Sequence, residues 1–344
     1  MPDRPMTGRP MTDLSPDTAR ARPAGGPGAS GALELLTVGR ISVDLYCGQL
    51  GADWVAAESF TKAVGGSPTN VAIAAARLGH HAAVFTKVGA DPFGEVALAE
   101  LRGFGVDTRF VGIEPDGLTP LAFAVLSPPA DPQLHFRRAA PVPDLQLRAD
   151  EPAVTAAAEV ELLWVSGGAL SAEPSAGASE QMLRTRRRRR HTILDLDYRP
   201  SFWRSREEAS ERIGAAVEHA TIAVGNREEC AVAVGTDDPH EAARRLRARG
   251  VELAVVKLGG EGVLVAHEEG ERLIASAPIE VVCGLGAGDA FGGALCHGLL
   301  AGWPHERTIE FANAAGGIVA SRLLCSQAMP HEHEVEQLLA GSAR

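Results

Sequence analysis

The chain has 344 residues, 45% of them hydrophobic and 22% charged, and a formal net charge of −11. This is enough apolar material for one large α/β domain with an appendage, and the acidic balance excludes a general affinity for nucleic acid or anionic membrane. No apolar run reaches the roughly 18–20 residues that a transmembrane helix needs.

Residues 1–32 are rich in Pro, Gly, Arg and Asp and lack the apolar segment of a secretory signal, so they read as a disordered tail. The five cysteines (Cys47, Cys230, Cys283, Cys296, Cys325) show no C-x-x-C spacing. That argues against a disulfide framework or a zinc site and fits a reducing cytoplasm. From Leu33 onward short apolar runs read as buried strands: Leu33–Val38, Ala82–Val88, Leu162–Val165, Thr192–Leu196, Ile222–Val224 and Leu253–Val256. Stretches of helical length separate them: Pro68–Leu78, Phe93–Phe104, Ser175–Arg187, Arg206–His219 and His240–Arg249. This alternation predicts a three-layer α/β/α domain over residues 33–330, with a mostly parallel central sheet and ligands at the carboxyl ends of its strands.

Two segments break the rhythm. Residues 44–64 and about 108–138 carry strand-like runs (Thr119–Leu126, Gln133–Phe136) without intervening helices. They suggest a small separate sheet, a candidate lid over the active site. Val263–Ala266 and Arg272–Ala275 flank Glu268-Glu269-Gly270 and read as an edge hairpin. The run Arg186–Arg190 reads as a solvated helix end, favoured by the helix dipole, rather than a nucleic-acid contact. Residues 331–344 read as a C-terminal helix or tail. On such a helix His331 and His333 do not share a face, so no metal site is expected there.

The richest segment is Gly284-Leu285-Gly286-Ala287-Gly288-Asp289, followed by an apolar stretch through Leu300. A glycine-rich turn feeding a helix leaves unpaired amides at the positive end of the macrodipole, a place for phosphate or a developing oxyanion. Asp289 falls on the first turn, where the same field favours its ionised form, and a carboxylate there can take a proton from an attacking hydroxyl. A P-loop would need G-K-[ST], which is missing, and a Rossmann fingerprint would place a glycine where Asp289 stands. A second cluster, Gly65-Gly66-Ser67-Pro68-Thr69-Asn70, permits close approach of a ligand and presents an amide to a polyol. Asp44, after the first strand, is a carboxylate able to hold two sugar hydroxyls, and equally able to be a turn residue.

Together these motifs resemble the ribokinase-like (PfkB) carbohydrate kinase family. Gly65-Gly66-x-Pro-x-Asn70 matches its N-terminal signature and Gly286-Ala287-Gly288-Asp289 its C-terminal one. Asn226-x-x-Glu229 matches its N-x-x-E element and Lys257-Leu258-Gly259-Gly260-Glu261-Gly262 its glycine turn. The resemblance implies a ribokinase-like fold and an ATP- and Mg²⁺-dependent kinase. In it Asp289 is the general base and the amides of Gly286, Ala287 and Gly288 form the anion hole. Asp44, Gly65, Gly66 and Asn70 hold the sugar, while Asn226 and Glu229 position Mg²⁺ through water. Lys257, Gly259 and Gly262 border the nucleotide phosphates, and Asn313, within Phe311–Gly316, lies at a helix start that borders the adenine. It also implies a homodimer paired through the lids. Many members open the C-terminal motif with Asp or Asn; Cys283 stands there instead, which counts against a K⁺ site leaning on that position.

Within the family, Gly39–Tyr46, Phe136-Arg137-Arg138 and Asp195–Trp203 resemble the 5-dehydro-2-deoxygluconokinase branch of inositol catabolism. That branch implies a small sugar-acid substrate phosphorylated on its 6-hydroxyl. Its carboxylate would need a fixed cation, for which Arg137, Arg138 and Arg199 are the candidates, Arg199 alternatively facing the nucleotide phosphates. The alternatives are a 2-keto-3-deoxygluconate kinase, a fructokinase-type sugar kinase, or, in a different class, a catalytically silent sugar-binding regulatory protein.

Overall fold

The computed structural model describes residues 32–49, 51–128, 132–276 and 279–342. The expected tail, apart from Ala32, lies outside the described residues, as do residues 343–344.

Nine strands form the large sheet. Seven run parallel: β1 (Leu35–Val38), β4 (Ala82–Gly89), β5 (Val111–Glu114), β8 (Leu162–Ser166), β9 (Thr192–Asp195), β10 (Ile222–Asn226) and β11 (Leu253–Lys257). The antiparallel hairpin β12 (Val263–His267) and β13 (Gly270–Ile274) closes one edge, giving the order β13-β12-β11-β10-β9-β8-β1-β4-β5. The parallel strands read as continuous apolar runs because helices cover both faces. Leu35, Trp164, Ile193, Val224 and Val255 point into one apolar layer, and Leu36, Leu163, Leu194, Ala223 and Ala254 into the other.

On the first face pack α1 (Ser67–Arg77), α2 (Pro92–Gly103), α8 (Ala287–Leu300), α9 (His305–Ala320) and α10 (Glu332–Ser342). On the second lie α3 (Pro152–Glu159), α4 (Ser175–Arg186), α5 (Arg206–Val217), α6 (Arg227–Val234) and α7 (Pro239–Ala248). The α/β sandwich expected from the strand–helix alternation is borne out. No helix among the described residues is long and apolar enough to cross a membrane.

A second sheet, in the order β3-β2-β6-β7, contains β2 (Ser42–Cys47), β3 (Phe60–Gly65), β6 (Leu121–Val125) and β7 (Gln133–Arg137). The segment from residue 108 does not enter it whole. Val111–Glu114 pairs with Thr86–Gly89 of β4 and extends the large sheet instead. Four residues that follow a helix and a tight turn are simply in reach of that free edge.

The arginine run keeps its expected role only in part. Arg186 is 3% exposed and donates to the carbonyls of Ala157, Val160, Glu161 and His191. Arg188 donates to the carbonyls of Glu218 and Ala220, and Arg189 to that of Ala158. Arg186 and Arg188 thus satisfy carbonyls at the amino edge of the sheet, while Arg187, Arg189 and Arg190 stay exposed, as a solvated helix end would. His331 precedes α10 rather than lying on it, and its ring stacks on that of His333 at 5.9 Å.

Candidate active site

A cavity of about 550 Å³ opens at the carboxyl ends of β1, β9, β10 and β11. The inner face of the second sheet closes one side. Strand alternation puts Ser42, Asp44 and Tyr46 of β2, Ala122 of β6, and Leu134 and Phe136 of β7 on that face.

The opposite wall is the start of α8. Gly286 caps the helix at φ 81°, and a side chain there would meet Cys325 Sγ at 2.6 Å. Glycine is therefore required both by the left-handed backbone and by the space. Further along, a side chain at Gly292 would strike the Trp164 ring, and one at Gly293 would strike Ala74 of α1. This pair lets α8 lie directly against α1, which brings two distant motifs together: Asn70 Nδ2 donates to Asp289 Oδ2 at 2.8 Å. Asn70 Oδ1 is buried without a partner among the described residues. Desolvation raises the Asp289 pKa, opposed by the hydrogen bonds from Asn70 and Ser67 and by Arg199. The ionised form expected from the helix field alone is thus offset by burial.

Asp44 receives a hydrogen bond from Ser42 Oγ at 2.6 Å and one from the Tyr46 hydroxyl at 3.4 Å. Tyr46 OH also lies 2.7 Å from Cys325 Sγ. Any side chain at Gly65 would collide with the Asp44 carboxylate, and one at Gly66 with the Arg40 carbonyl. Desolvation pushes the Asp44 pKa up to about 6, against the Ser42 hydrogen bond and the Arg40 charge.

The floor is charged. Asp195 and Asp197, two residues apart at the end of β9, are both buried. Ser67 Oγ donates to Asp195 Oδ2 at 3.2 Å. Desolvation raises the Asp195 pKa against the pull of Lys257. Burial alone would raise Asp197 too, but Arg40, Arg199 and Ser166 bring it down to about 2. Burial would lower Lys257, yet Glu229, Asp195 and Asp289 together raise it, so the ammonium form is held. Its Nζ would stand 3.3 Å from a side chain placed on Gly288, beside the α8 terminus.

Asn226 and Glu229 form a capping box at the start of α6, with Oδ1 accepting from Glu229 N at 2.9 Å and Oε2 from Asn226 N at 2.7 Å. Glu229 Oε1 is left for the cavity, which both residues line. That donor set fits a hydrated Mg²⁺ reached through water, since an amide and one free carboxylate oxygen suit a hard cation that keeps its shell. Gly259 lines the cavity at φ 61°, while Gly262 (φ 112°) closes the turn beneath, with Leu258 N donating to its carbonyl.

Three expected residues stand elsewhere. Asn313 is in the middle of α9, not at a helix start; it accepts from Ser276 Oγ and donates to the Ala275 carbonyl, bracing the loop beside Gly259. Arg137 is exposed and does not line the cavity. Arg138 is spent on Asp144 at 2.6 and 3.0 Å, and Asp144 in turn accepts from Ile41 N, so this pair pins the β1–β2 turn. Only Arg199 of the three arginine candidates lines the cavity. Cys283 is fully buried and does not line it. Arg40, Ser67, Asp195 and Asp197 line it although none was singled out from the sequence. The legible signal was two carboxylates alternating at a strand's carboxyl end, and an arginine directly after a strand-ending glycine.

A carboxylate bonded to a fixed amide, a helix start with free amides, and several fixed cations in one cleft define a class of protein that handles a phosphorylated ligand and a hydroxyl together. Residues 32–332 match the pfkB family carbohydrate kinase model, and the chain belongs to that family of sugar kinases. It is 33% identical over 316 residues to the 5-dehydro-2-deoxygluconokinase of Geobacillus thermodenitrificans, covering 89% of this chain and 93% of that one. The 5-dehydro-2-deoxygluconokinase of Bacillus subtilis is 32% identical over 314 residues, with 90% and 96% covered. In fold, the chain superposes on a putative ribokinase II from E. coli, solved in complex with ATP and Mg²⁺, with a TM-score of 0.81 at 21% identity. That match covers 90% of this chain and 99% of the other. The ribokinase-like fold and the kinase class expected from the motifs are borne out.

Proposed function

We propose that this sugar kinase transfers the γ-phosphoryl group of ATP to the 6-hydroxyl of 5-dehydro-2-deoxygluconate. The observation that carries the reading is the Asn70–Asp289 hydrogen bond at the mouth of the α8 amides, within one cavity with Asp44. The relatives' activity supports the choice of substrate.

Asp44 accepts hydrogen bonds from sugar hydroxyls, and Asn70 both orients Asp289 and offers its unpartnered Oδ1 to the sugar. Asp289 takes the proton from O6 as O6 attacks the γ-phosphorus and the bond to the β-γ bridging oxygen breaks, leaving ADP. The amides at Gly286, Ala287 and Gly288 meet the charge spread over the equatorial oxygens, and Lys257 and Arg199 add fixed positive charge. Asn226 and Glu229 hold the water shell of Mg²⁺, which neutralises the phosphate oxygens when bound. The second sheet acts as a lid: its inner face covers the sugar and excludes water that would otherwise accept the phosphoryl group.

The test is a coupled ADP-release assay with MgATP against 5-dehydro-2-deoxygluconate, 2-keto-3-deoxygluconate, fructose, ribose and adenosine. The highest kcat/KM is expected for the first. Turnover of fructose above both acids would move the substrate to a neutral sugar, and nucleotide binding without any turnover would favour a silent sugar-binding protein.

A pH dependence follows from Asp44, whose pKa stands at about 6. It is ionised above that value and accepts two hydroxyls only then. The sugar KM should therefore rise about tenfold per pH unit below the inflection, with KM for MgATP unchanged. Sugar KM measured across the range checks this, and Asp44→Asn should raise KM throughout and remove the inflection.

A further inference from the structure

Three cations line the cavity, and they divide by neighbourhood. Lys257 stands beside Gly288 and feels Glu229, Asp195 and Asp289. Arg199 is half-exposed and, after Asp197, feels Glu229 and Asp289. Both stand near Glu229 and Asp289, where the proposed reading puts the phosphates. Arg40 faces the other way, toward Asp44 and the second sheet. Its guanidinium lies 5.0 Å over the Phe202 ring, and Phe202 meets Phe136 of β7 edge-on at 5.0 Å.

Arg40 is 6% exposed and is fixed from several directions. Its carbonyl accepts from Thr69 Oγ1 at 2.9 Å, and the neighbouring Ile41 amide is held by Asp144. Both of its side-chain bonds leave from Nη2, to Asp197 Oδ2 at 2.9 Å and Oδ1 at 3.3 Å. Ser166 Oγ and Arg199 Nε hold the same carboxylate at 2.7 and 3.3 Å. Asp197 itself adopts φ 25°, a left-handed backbone that is strained for a non-glycine residue. Nε of Arg40 is enclosed without a partner; Nη1 also has no protein partner among the described residues but is not enclosed. A carboxylate fixed on a left-handed backbone thus orients a buried guanidinium by one nitrogen while a second keeps its hydrogens for the cavity.

We propose that Arg40 is the specificity-determining residue that binds the carboxylate of an acidic sugar, Nη1 donating to it while Asp197 fixes the guanidinium through Nη2. This rests on the proposed reading that the substrate is a sugar acid. Arg40 lies on the Asp44 side of the cavity, so it engages the end of the sugar remote from the hydroxyl that Asp289 deprotonates. Arg199 and Lys257 are left to the phosphates.

The test compares 5-dehydro-2-deoxygluconate with its primary amide, a neutral counterpart of the same shape, in wild type, Arg40→Gln and Arg40→Lys. Wild type is expected to favour the acid, and Arg40→Gln to cut that preference roughly 10- to 100-fold, the loss of a charge-assisted hydrogen bond. The change should appear in the acid's KM, with KM for MgATP unaltered. Arg40→Lys keeps Asp197 paired, so it carries the test even if Arg40→Gln fails to fold; it should retain part of the preference. Equal losses on acid and amide in the folded variants would overturn the assignment and reduce Arg40 to a support for Asp197. Failure of wild type to phosphorylate the acid at all would instead remove the sugar-acid reading on which it rests.

Discussion

Asp289→Asn should lower kcat by about 100- to 10,000-fold, the range of a lost general base, while MgATP still binds. The substitution keeps the shape of the side chain and its place on the first turn of α8, so the amides and the charged floor remain. What disappears is the proposed acceptor for the O6 proton, a carboxylate that Asn70 holds at 2.8 Å. Because desolvation raises the pKa of this carboxylate, it is a stronger base than a free aspartate once ionised, which enlarges the expected loss. Single-turnover kinetics alongside calorimetric nucleotide binding separates the two effects. Near-normal turnover would remove the proposed chemistry.

Gly286→Ala should lower kcat by about 100- to 1,000-fold, comparable to losing one oxyanion donor, and should also lower stability. The new methyl has nowhere to go. It meets Cys325 Sγ and Cβ at 2.6 and 2.8 Å, and the residue must hold φ 81°. Relief requires the helix start to back away from Cys325, which re-aims the very amides that face the cavity. Cys325→Ala combined with Gly286→Ala removes the clash but not the backbone strain, so it should restore stability more than rate. Thermal melts and kcat of the single and double variants check this; full recovery of rate in the double variant would show that the amides never moved.

The strand–helix alternation was legible because buried parallel strands admit few substitutes for short apolar runs. Leu162–Val165 and Ile222–Val224 read as strands on that ground and are strands. The α8 turn was equally clear, since a glycine cluster before an apolar helix has few other uses. Less legible were positions set by long-range partners. Arg138 carries the same chemistry as Arg199, and only the fold shows that Asp144 claims the first and the cavity the second. Arg186 reads as part of a solvated charge run, and only the fold shows the carbonyls of Ala157, Val160, Glu161 and His191 converging on it. Residues 111–114 suited either sheet, and the free edge of β4 decided the matter. Asn313 carried no local sign of its place in mid-helix, because α9 begins at His305 without a side-chain cap. Asp195 and Asp197 stand two apart in the sequence, but their opposite pKa directions are not legible there: burial raises Asp195 despite Lys257, while Arg40, far off in sequence, helps bring Asp197 down.

The central claim is that Asp289 directs phosphoryl transfer onto the primary 6-hydroxyl of 5-dehydro-2-deoxygluconate. Phosphorus and carbon NMR of the product formed from MgATP and that sugar acid tests it most directly. The account predicts one new phosphate monoester, coupled to the C6 methylene, forming in step with ADP. ADP and inorganic phosphate without an ester, or an ester at another carbon, would contradict it.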